Sequence, residues 1–325
     1  MRQVAFDTPG EPSVLYVADV PVPEPMTGQV LIKVVAAGVN GPDLFQRQGN
    51  YPTPPDASPV LGLEVAGEIA AIAEGETRWQ VGDRVCALVP GGGYSEYVLT
   101  WAGHCLPVPQ GWSMTEAAAL PETFFTVWGN LFMRGALKRS ETVLLHGGSG
   151  GIGTAAIMLA KASGCRVIAT SGTEEKRNYC LAMGADAAFD YHDDAFVEPT
   201  LAFTEGRGVD VVLDISAGKT INANLKVLAM DGRMLSIATR SGRMAEVDVA
   251  LLMFKRIVWT GSALRPQTVA AKAQIAAQLR HQVWPLLERG MLKPTIHKVY
   301  PLEQVAEAHS LMEAGSHVGK VMLAL

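Results

Sequence analysis

Three glycines carry the clearest chemistry in this chain. In "TVLLHGGSGGIGTAAIMLAKASG", which starts at Thr142, Gly148, Gly150 and Gly153 form G-x-G-x-x-G. They follow an apolar strand pattern and open a helical one. The first glycine permits a tight turn, the second lets the backbone approach a pyrophosphate, and the third lets helix and strand pack closely. Gly151 and Ile152 fill the positions before the third glycine and belong to the same cradle. Amides at the helix N-terminus, with the positive end of its dipole, then face the phosphates. The motif alone is weak, but a strand before it and a helix after it supply the context it needs.

A second signal stands about 20 residues further on, where a dinucleotide-binding chain usually places an acid for the ribose 2′-hydroxyl. In "RVIATSGTEEKRN", from Arg166, that place is held by Ser171. A carboxylate there would repel a 2′-phosphate; a serine hydroxyl can donate to it. Lys176, one turn into the next helix, can add an ammonium, and Arg177 stands beside it. Glu174 and Glu175 lie in the first helical turn, where negative charge is favoured, and would oppose a phosphate if they faced it. Lys176 therefore reads either as a phosphate ligand or as a solvated helix charge. The balance predicts NADPH rather than NADH.

These residues need elements to hold them. Residues 116–264 alternate nearly continuous apolar strands with helical patterns. The strand candidates are "TVLLH", "RVIAT", "AAFDY", "VDVVLDIS", "RMLSIA" and "IVWTGSA", and a helix is predicted over "TINANLKVLAM" from Thr220. Six such strands suit a parallel sheet covered on both faces, a doubly wound Rossmann domain. Residues 1–115 read instead as many short strands separated by Pro- and Gly-rich turns, a barrel-like or sandwich-like β domain. Residues 265–325 offer a long helix from about Thr268 to Arg289, kinked or ended early by Pro285. Two strands and a further helix follow, and with no core of their own these elements are expected to pack back onto the first domain. The fold class is α/β.

Composition narrows the setting. The chain has 325 residues, 48% hydrophobic and 18% charged, which suits a globular protein of about two domains. A net charge of −5 makes nucleic acid an unfavoured partner. Cys86, Cys105, Cys165 and Cys180 form no C-x-x-C pair and no disulfide framework. No stretch approaches the roughly 18 apolar residues of a membrane span, and "MRQVAFDTPGEP" lacks a signal-peptide pattern. A cytoplasmic location is expected.

Taken together, "AAGVNGPDLFQRQGNYPTPPDASPVLGLEVAGEI" from Ala36, "PGGGYSEYV" from Pro90, "AAALPETFFTVWGNL" from Ala117, the glycine turn and the closing "GKVML" resemble the medium-chain dehydrogenase/reductase superfamily. The resemblance covers essentially the whole chain. It is strongest to the zinc-free quinone oxidoreductase branch, which includes zeta-crystallin and the tumour-suppressor-inducible quinone reductase. It implies a GroES-like β-rich catalytic domain plus a Rossmann domain, in a homodimer or homotetramer. Zinc-dependent members carry Cys near the position of Asn40 and G-H-E where this chain has Gly62-Leu63-Glu64. Leucine cannot ligate a metal, and the cysteines of a structural zinc lobe are missing, so no metal site is expected. His104 and His146 read as structural.

The resemblance also places residues. Asn40 and Tyr51 border the nicotinamide and substrate, with Tyr51 able to hydrogen-bond an acceptor oxygen or supply a proton. Read from the sequence alone, Asn40 is equally a strand-ending turn residue and Tyr51 a loop aromatic against Pro52. Thr126 lies near the nicotinamide, Tyr191 beside the adenosine, and Ala263 and Arg265 in the "SALR" segment that contacts the carboxamide. Lys320 resembles a late basic residue near the phosphates, and Arg47 either lines the cleft or is solvated. The implied activity is NADPH-dependent reduction of a quinone without metal, by one or two electrons. Reduction of an enoyl or 2-alkenal substrate, an activated alkene, is the second reading. An NADPH-binding structural or RNA-associating role is the third.

Overall fold

A computed structural model describes residues 1–55 and 57–325. The chain forms two compact units, one of residues 1–125 with 265–325 and one of residues 126–264. Helix Met114–Ala118 packs on strands Gln29–Val39 and Glu64–Ile72 of the first unit.

The second unit is built on a six-stranded sheet. Its strands are Thr142–Leu145, Arg166–Thr170, Ala187–Phe189, Val209–Asp214, Leu228–Ser236 and Val258–Gly261. All neighbours pair in parallel, in the order third, second, first, fourth, fifth, sixth. Val143, Leu144, Val167, Ile168, Val211 and Val212 are fully buried, as a sheet covered on both faces requires. Strand order reverses between the first and fourth strands, and the crevice at their carboxyl ends is where such sheets bind ligands.

One element differs from its prediction. The helix expected through Met230 ends at Val227, and Leu228 already belongs to the fifth strand. Apolar residues at Leu228 and Ala229 fit either period. Two contacts settle the ending: Leu228 pairs with Val209, and the Lys255 ammonium donates to the carbonyls of Leu225, Lys226 and Leu228 at the helix end.

In the first unit a seven-stranded sheet runs in the order Ile296–Pro301, Lys320–Ala324, Gln29–Val39, Glu64–Ile72, Arg84–Leu88, Cys105–Pro107, with Tyr97–Trp101 also on Gln29–Val39. Its core joins Ile32, Val65, Val85 and Tyr94 to Val305, Ala308 and Leu323. The long predicted helix is two: Val269–Gln282 and Trp284–Glu288. Pro285 falls in the first turn of the second, where its missing N–H costs nothing. Among the described residues no helix is long and apolar enough to cross a membrane. All four cysteines are buried free thiols.

Candidate active site

The glycine turn joins the first strand to helix Gly151–Ala162, with Gly150 as its N-cap. A Cβ on Gly153 would lie 2.5 Å from Gly148 Cα, and one on Gly148 would lie 2.7 Å from Ala169 Cβ. Protein backbone and side chain thus fill the space beside the outer glycines. Beside Gly150 the nearest atom to such a Cβ is the Gly147 carbonyl oxygen at 3.6 Å. The middle glycine is the open one, which fits close approach by a pyrophosphate. His146 anchors the turn from below. It is buried, and its ring nitrogens meet Thr170 Oγ1 at 2.9 Å and Asn224 Oδ1 at 2.7 Å. Burial lowers its pKa and keeps it neutral.

Ser171 is 2% exposed, and its Oγ lies 3.1 Å from Ser149 Oγ inside the glycine turn. The strand tip therefore touches the glycine turn directly. Thr173 caps helix Glu174–Ala182, so Glu174 and Glu175 are exposed while Lys176 is half-buried. Arg177 is held by Asp190 at 2.9 Å and by the Ser171 carbonyl at 3.3 Å. Its charge serves the tip of the strand rather than an open anion site. Tyr191 stands against Gly172, where a Cβ would come within 2.6 Å of its hydroxyl. Ser149 was not foreseen: one unpatterned serine inside a glycine run carries no signal of its own.

On the fourth strand, Asp214 is buried and accepts from the amides of Ser216 and Ala217 and from Ser236 Oγ. It shapes the loop on the far side of the crevice. Asn130 Nδ2 donates to the Thr126 carbonyl at 2.8 Å, and Ser262 Oγ donates to Asn130 Oδ1 at 2.8 Å. Thr126 and the segment leading to Ala263 are thus tied together within the second unit.

The first unit holds a different kind of site. Asn40 caps helix Gly41–Arg47 with its backbone, whose N–H donates to Asp43 Oδ2 at 2.8 Å. Its side chain is used elsewhere: Nδ2 donates to Glu64 Oε1 at 2.9 Å, and Oδ1 accepts from Lys320 Nζ at 2.5 Å. Lys320 also pairs with Glu64 Oε1 at 2.5 Å, with the two side chains 4% and 0% exposed. Glu64 Oε2 accepts from the Glu122 amide at 2.8 Å. Asp43 accepts from Gly62 N–H and Tyr94 O–H as well, and burial still raises its pKa to about 6. Behind it, Arg47 can only donate to His309 Nδ1, so His309 Nε2 carries the proton and donates to Tyr94. Burial, then the Arg47 charge, lowers the His309 pKa to about 3 and keeps the ring neutral.

Tyr51 is half-buried near this cluster. The Arg265 guanidinium lies 5.7 Å from its ring centroid and is fixed by Gln46 Oε1 at 2.6 Å and the Pro90 carbonyl at 3.0 Å. Burial first and the Glu122 charge second push the Tyr51 phenol up to about 12. It is a hydrogen-bond donor at neutral pH and a weak acid.

One placement corrects the sequence reading, and another gains a partner. Lys320 pairs with Glu64 and Asn40 in the first unit, so its ammonium is the counter-ion of a buried carboxylate. Arg47 is neither cleft-lining nor solvated: it is fully buried, bound to Gly10 O, His309 and Glu313. Asn40, Tyr51, Arg265 and Lys320 fall in the first unit, and Thr126, Gly148, Gly150, Gly151, Ile152, Gly153, Ser171, Lys176, Tyr191 and Ala263 in the second. Glu64 and Glu122 escaped the sequence reading, because each sits in a run that reads as ordinary strand or helix.

A Rossmann unit with an acid-free ribose position, inserted into a β-rich unit with its own buried polar cluster, defines a dinucleotide-dependent oxidoreductase of two domains. The chain belongs to the medium-chain dehydrogenase/reductase superfamily, in its zeta-crystallin-like quinone oxidoreductase branch. Residues 26–110 match the alcohol dehydrogenase GroES-like domain and residues 151–278 the zinc-binding dehydrogenase family. The quinone oxidoreductase of Rattus norvegicus is 33% identical over 328 residues, covering 100% of this chain and 98% of that protein. The Escherichia coli quinone oxidoreductase complexed with NADPH superposes with a TM-score of 0.89 at 28% identity, covering 100% of both chains. The CurK enoyl reductase superposes with a TM-score of 0.87 at 28% identity, over 99% of this chain and 98% of that one.

Proposed function

We propose that this protein reduces quinones with NADPH, without a metal ion. The observation that carries the cofactor choice is buried Ser171, hydroxyl to hydroxyl with Ser149, where a ribose-binding acid would stand. The glycine turn, Ser171 and Lys176 hold the adenosine phosphates and Tyr191 lies beside the adenosine. Within the second unit, Thr126 and Ala263 are the residues for the nicotinamide; in the first unit, Asn40 and Tyr51 are the candidates for substrate. When bound, NADPH supplies a hydride.

Metal independence rests on this chain's donors. Leu63 offers no ligand atom, and the Asn40 and Glu64 oxygens already hold a cation, the Lys320 ammonium. With no Lewis acid in this cluster, an acceptor that spreads its own negative charge is favoured over an alcohol or simple carbonyl. Tyr51 presents a neutral phenol that positions an acceptor oxygen. Likeness to an enoyl reductase favours activated alkenes as the second substrate class. NADPH consumption against quinones, enones and primary alcohols tests the reading. We expect quinone turnover that survives a chelator; chelator-sensitive alcohol oxidation is the contrary result.

The same proposal includes self-association in the cytoplasm. Strand Val258–Gly261 is an edge of the six-stranded sheet, with Val258 56% and Trp259 39% exposed. Helix Val249–Phe254 beside it in sequence leaves Met253 and Phe254 exposed. An open apolar edge of this kind invites pairing with a second copy. Val258→Lys should halve the mass measured by light scattering while leaving the melting temperature within a few degrees. A wild-type protein that is already monomeric at micromolar concentration contradicts the assembly.

A further inference from the structure

Helix Ile221–Val227 buries one polar side chain among apolar ones. Ile221, Ala223, Leu225 and Val227 belong to the core of the second unit, and Asn224 is buried with them. Its Oδ1 meets His146 Nε2 at 2.7 Å. Its Nδ2 has no hydrogen-bond partner among the described residues. A buried amide donor without an acceptor is costly, and a leucine here would avoid that cost. The asparagine is explained by what its oxygen does.

An amide oxygen only accepts, so it draws the His146 proton to Nε2 and leaves Nδ1 bare. Nδ1 then accepts from the Thr170 hydroxyl at 2.9 Å. Thr170 is buried and ends the second strand, directly before Ser171. Its carbonyl is held as well, by the Gly148 amide at 2.9 Å. Two bonds thus tie this strand end to the end of the first strand and its turn, and Ser171 adds a third contact through Ser149. Packing alone does not require an imidazole here. The ring meets Phe196 edge to face with centroids 5.0 Å apart, a contact that a phenylalanine would keep. A phenylalanine cannot make the link from Asn224 to Thr170.

We propose that His146 is a positioning residue for the adenosine end of NADPH. Asn224 fixes its proton, and the ring holds Thr170, and with it Ser171, in place at the glycine turn. This rests on the reading that Ser171 and the glycine turn hold the adenosine phosphates. His146, Thr170, Ser171 and Asn224 all lie in the second unit. Neither the hydride nor a proton passes through this ring. Its loss therefore weakens cofactor binding and leaves the chemical step unchanged.

The test titrates the full-length chain, its His146→Phe and Thr170→Val variants and the double variant with NADPH and with NADH, following nicotinamide fluorescence. Each single variant should raise Kd for NADPH about tenfold, as expected for one lost hydrogen bond, and Kd for NADH by less than about threefold. Because both remove the same link, the double variant should lose no more than about twofold beyond either. With a quinone, KM for NADPH should follow Kd while kcat stays within about twofold of wild type. In histidine-labelled protein, the nitrogen spectrum should place the His146 proton on Nε2, and Asn224→Leu should move it to Nδ1. Melting temperatures show which variants fold; if His146→Phe does not, Thr170→Val decides. A folded variant with wild-type Kd for NADPH, losses that add fully in the double variant, or a kcat that falls with Kd each overturn the positioning role alone. A wild type that binds NADPH no tighter than NADH overturns the phosphate-side reading and the positioning role together.

Discussion

Replacing Ser171 with Asp and Lys176 with Ala should raise KM for NADPH about a hundredfold while changing KM for NADH by less than threefold. Two unit charges 4 Å apart at an effective dielectric of about 20 interact by about 4 kcal/mol. A carboxylate at position 171 facing a 2′-phosphate would lose a large part of that, and each 1.4 kcal/mol is a factor of ten. The site is suited to the effect. Ser171 is buried and its oxygen touches the glycine turn, so an acid there cannot swing away into solvent. Removal of the Lys176 ammonium contributes less, because its helix position is half-exposed and screened. An NADH-bound ribose would gain a hydrogen-bond acceptor from the same change. The measurement is initial-rate kinetics with both cofactors at one quinone concentration. Equal losses for the two would mean that position 171 only shapes the turn.

Lys320→Ala should destabilise the protein by about 3–5 kcal/mol, the usual cost of stranding one member of a buried ion pair. For a unit of this size that corresponds to roughly 10 °C in melting temperature. Glu64 would remain fully buried, keeping only the Asn40 side chain and the Glu122 amide as donors. Combining Lys320→Met with Glu64→Gln should recover more than half of the loss, since no charge is left uncompensated. Denaturant titrations of the three variants read this directly. A single variant that loses less than 1 kcal/mol would show that the Glu64 charge is satisfied without the lysine.

The glycine turn and the polar cluster of the first unit differed in how far the sequence exposed them. The glycine turn is local: strand, glycines and helix follow one another within about two dozen residues, and each glycine has a steric reason that spacing reveals. The strand tip at Ser171 is equally local, because its meaning depends only on its distance from the turn. The polar cluster is different. Asn40 looks like an ordinary turn residue, and Glu64 opens an unremarkable strand. Lys320 looks like a solvated charge before an apolar strand. Only long-range pairing gives each its role, so no window of sequence shows it. Arg47 misled for the same reason, since its buried partner His309 lies 262 residues away. The early end of helix Ile221–Val227 was hidden by a distant lysine, Lys255, whose capping role has no local pattern.

The pairing of Lys320 with Asn40 spans 280 residues and encloses the whole Rossmann unit. Synthesis therefore delivers the Rossmann unit complete before strand Lys320–Ala324 exists, and the first unit must wait. Until that strand inserts between Gln29–Val39 and Ile296–Pro301, the two flanking strands present open edges and Glu64 has no counter-ion. The sheet of the first unit, made from both ends of the chain, is thus the part whose pairing can be completed only after the last strand is synthesised. The first unit is completed by the same strand that neutralises its buried carboxylate, so closure of the sheet and pairing of Glu64 are one event.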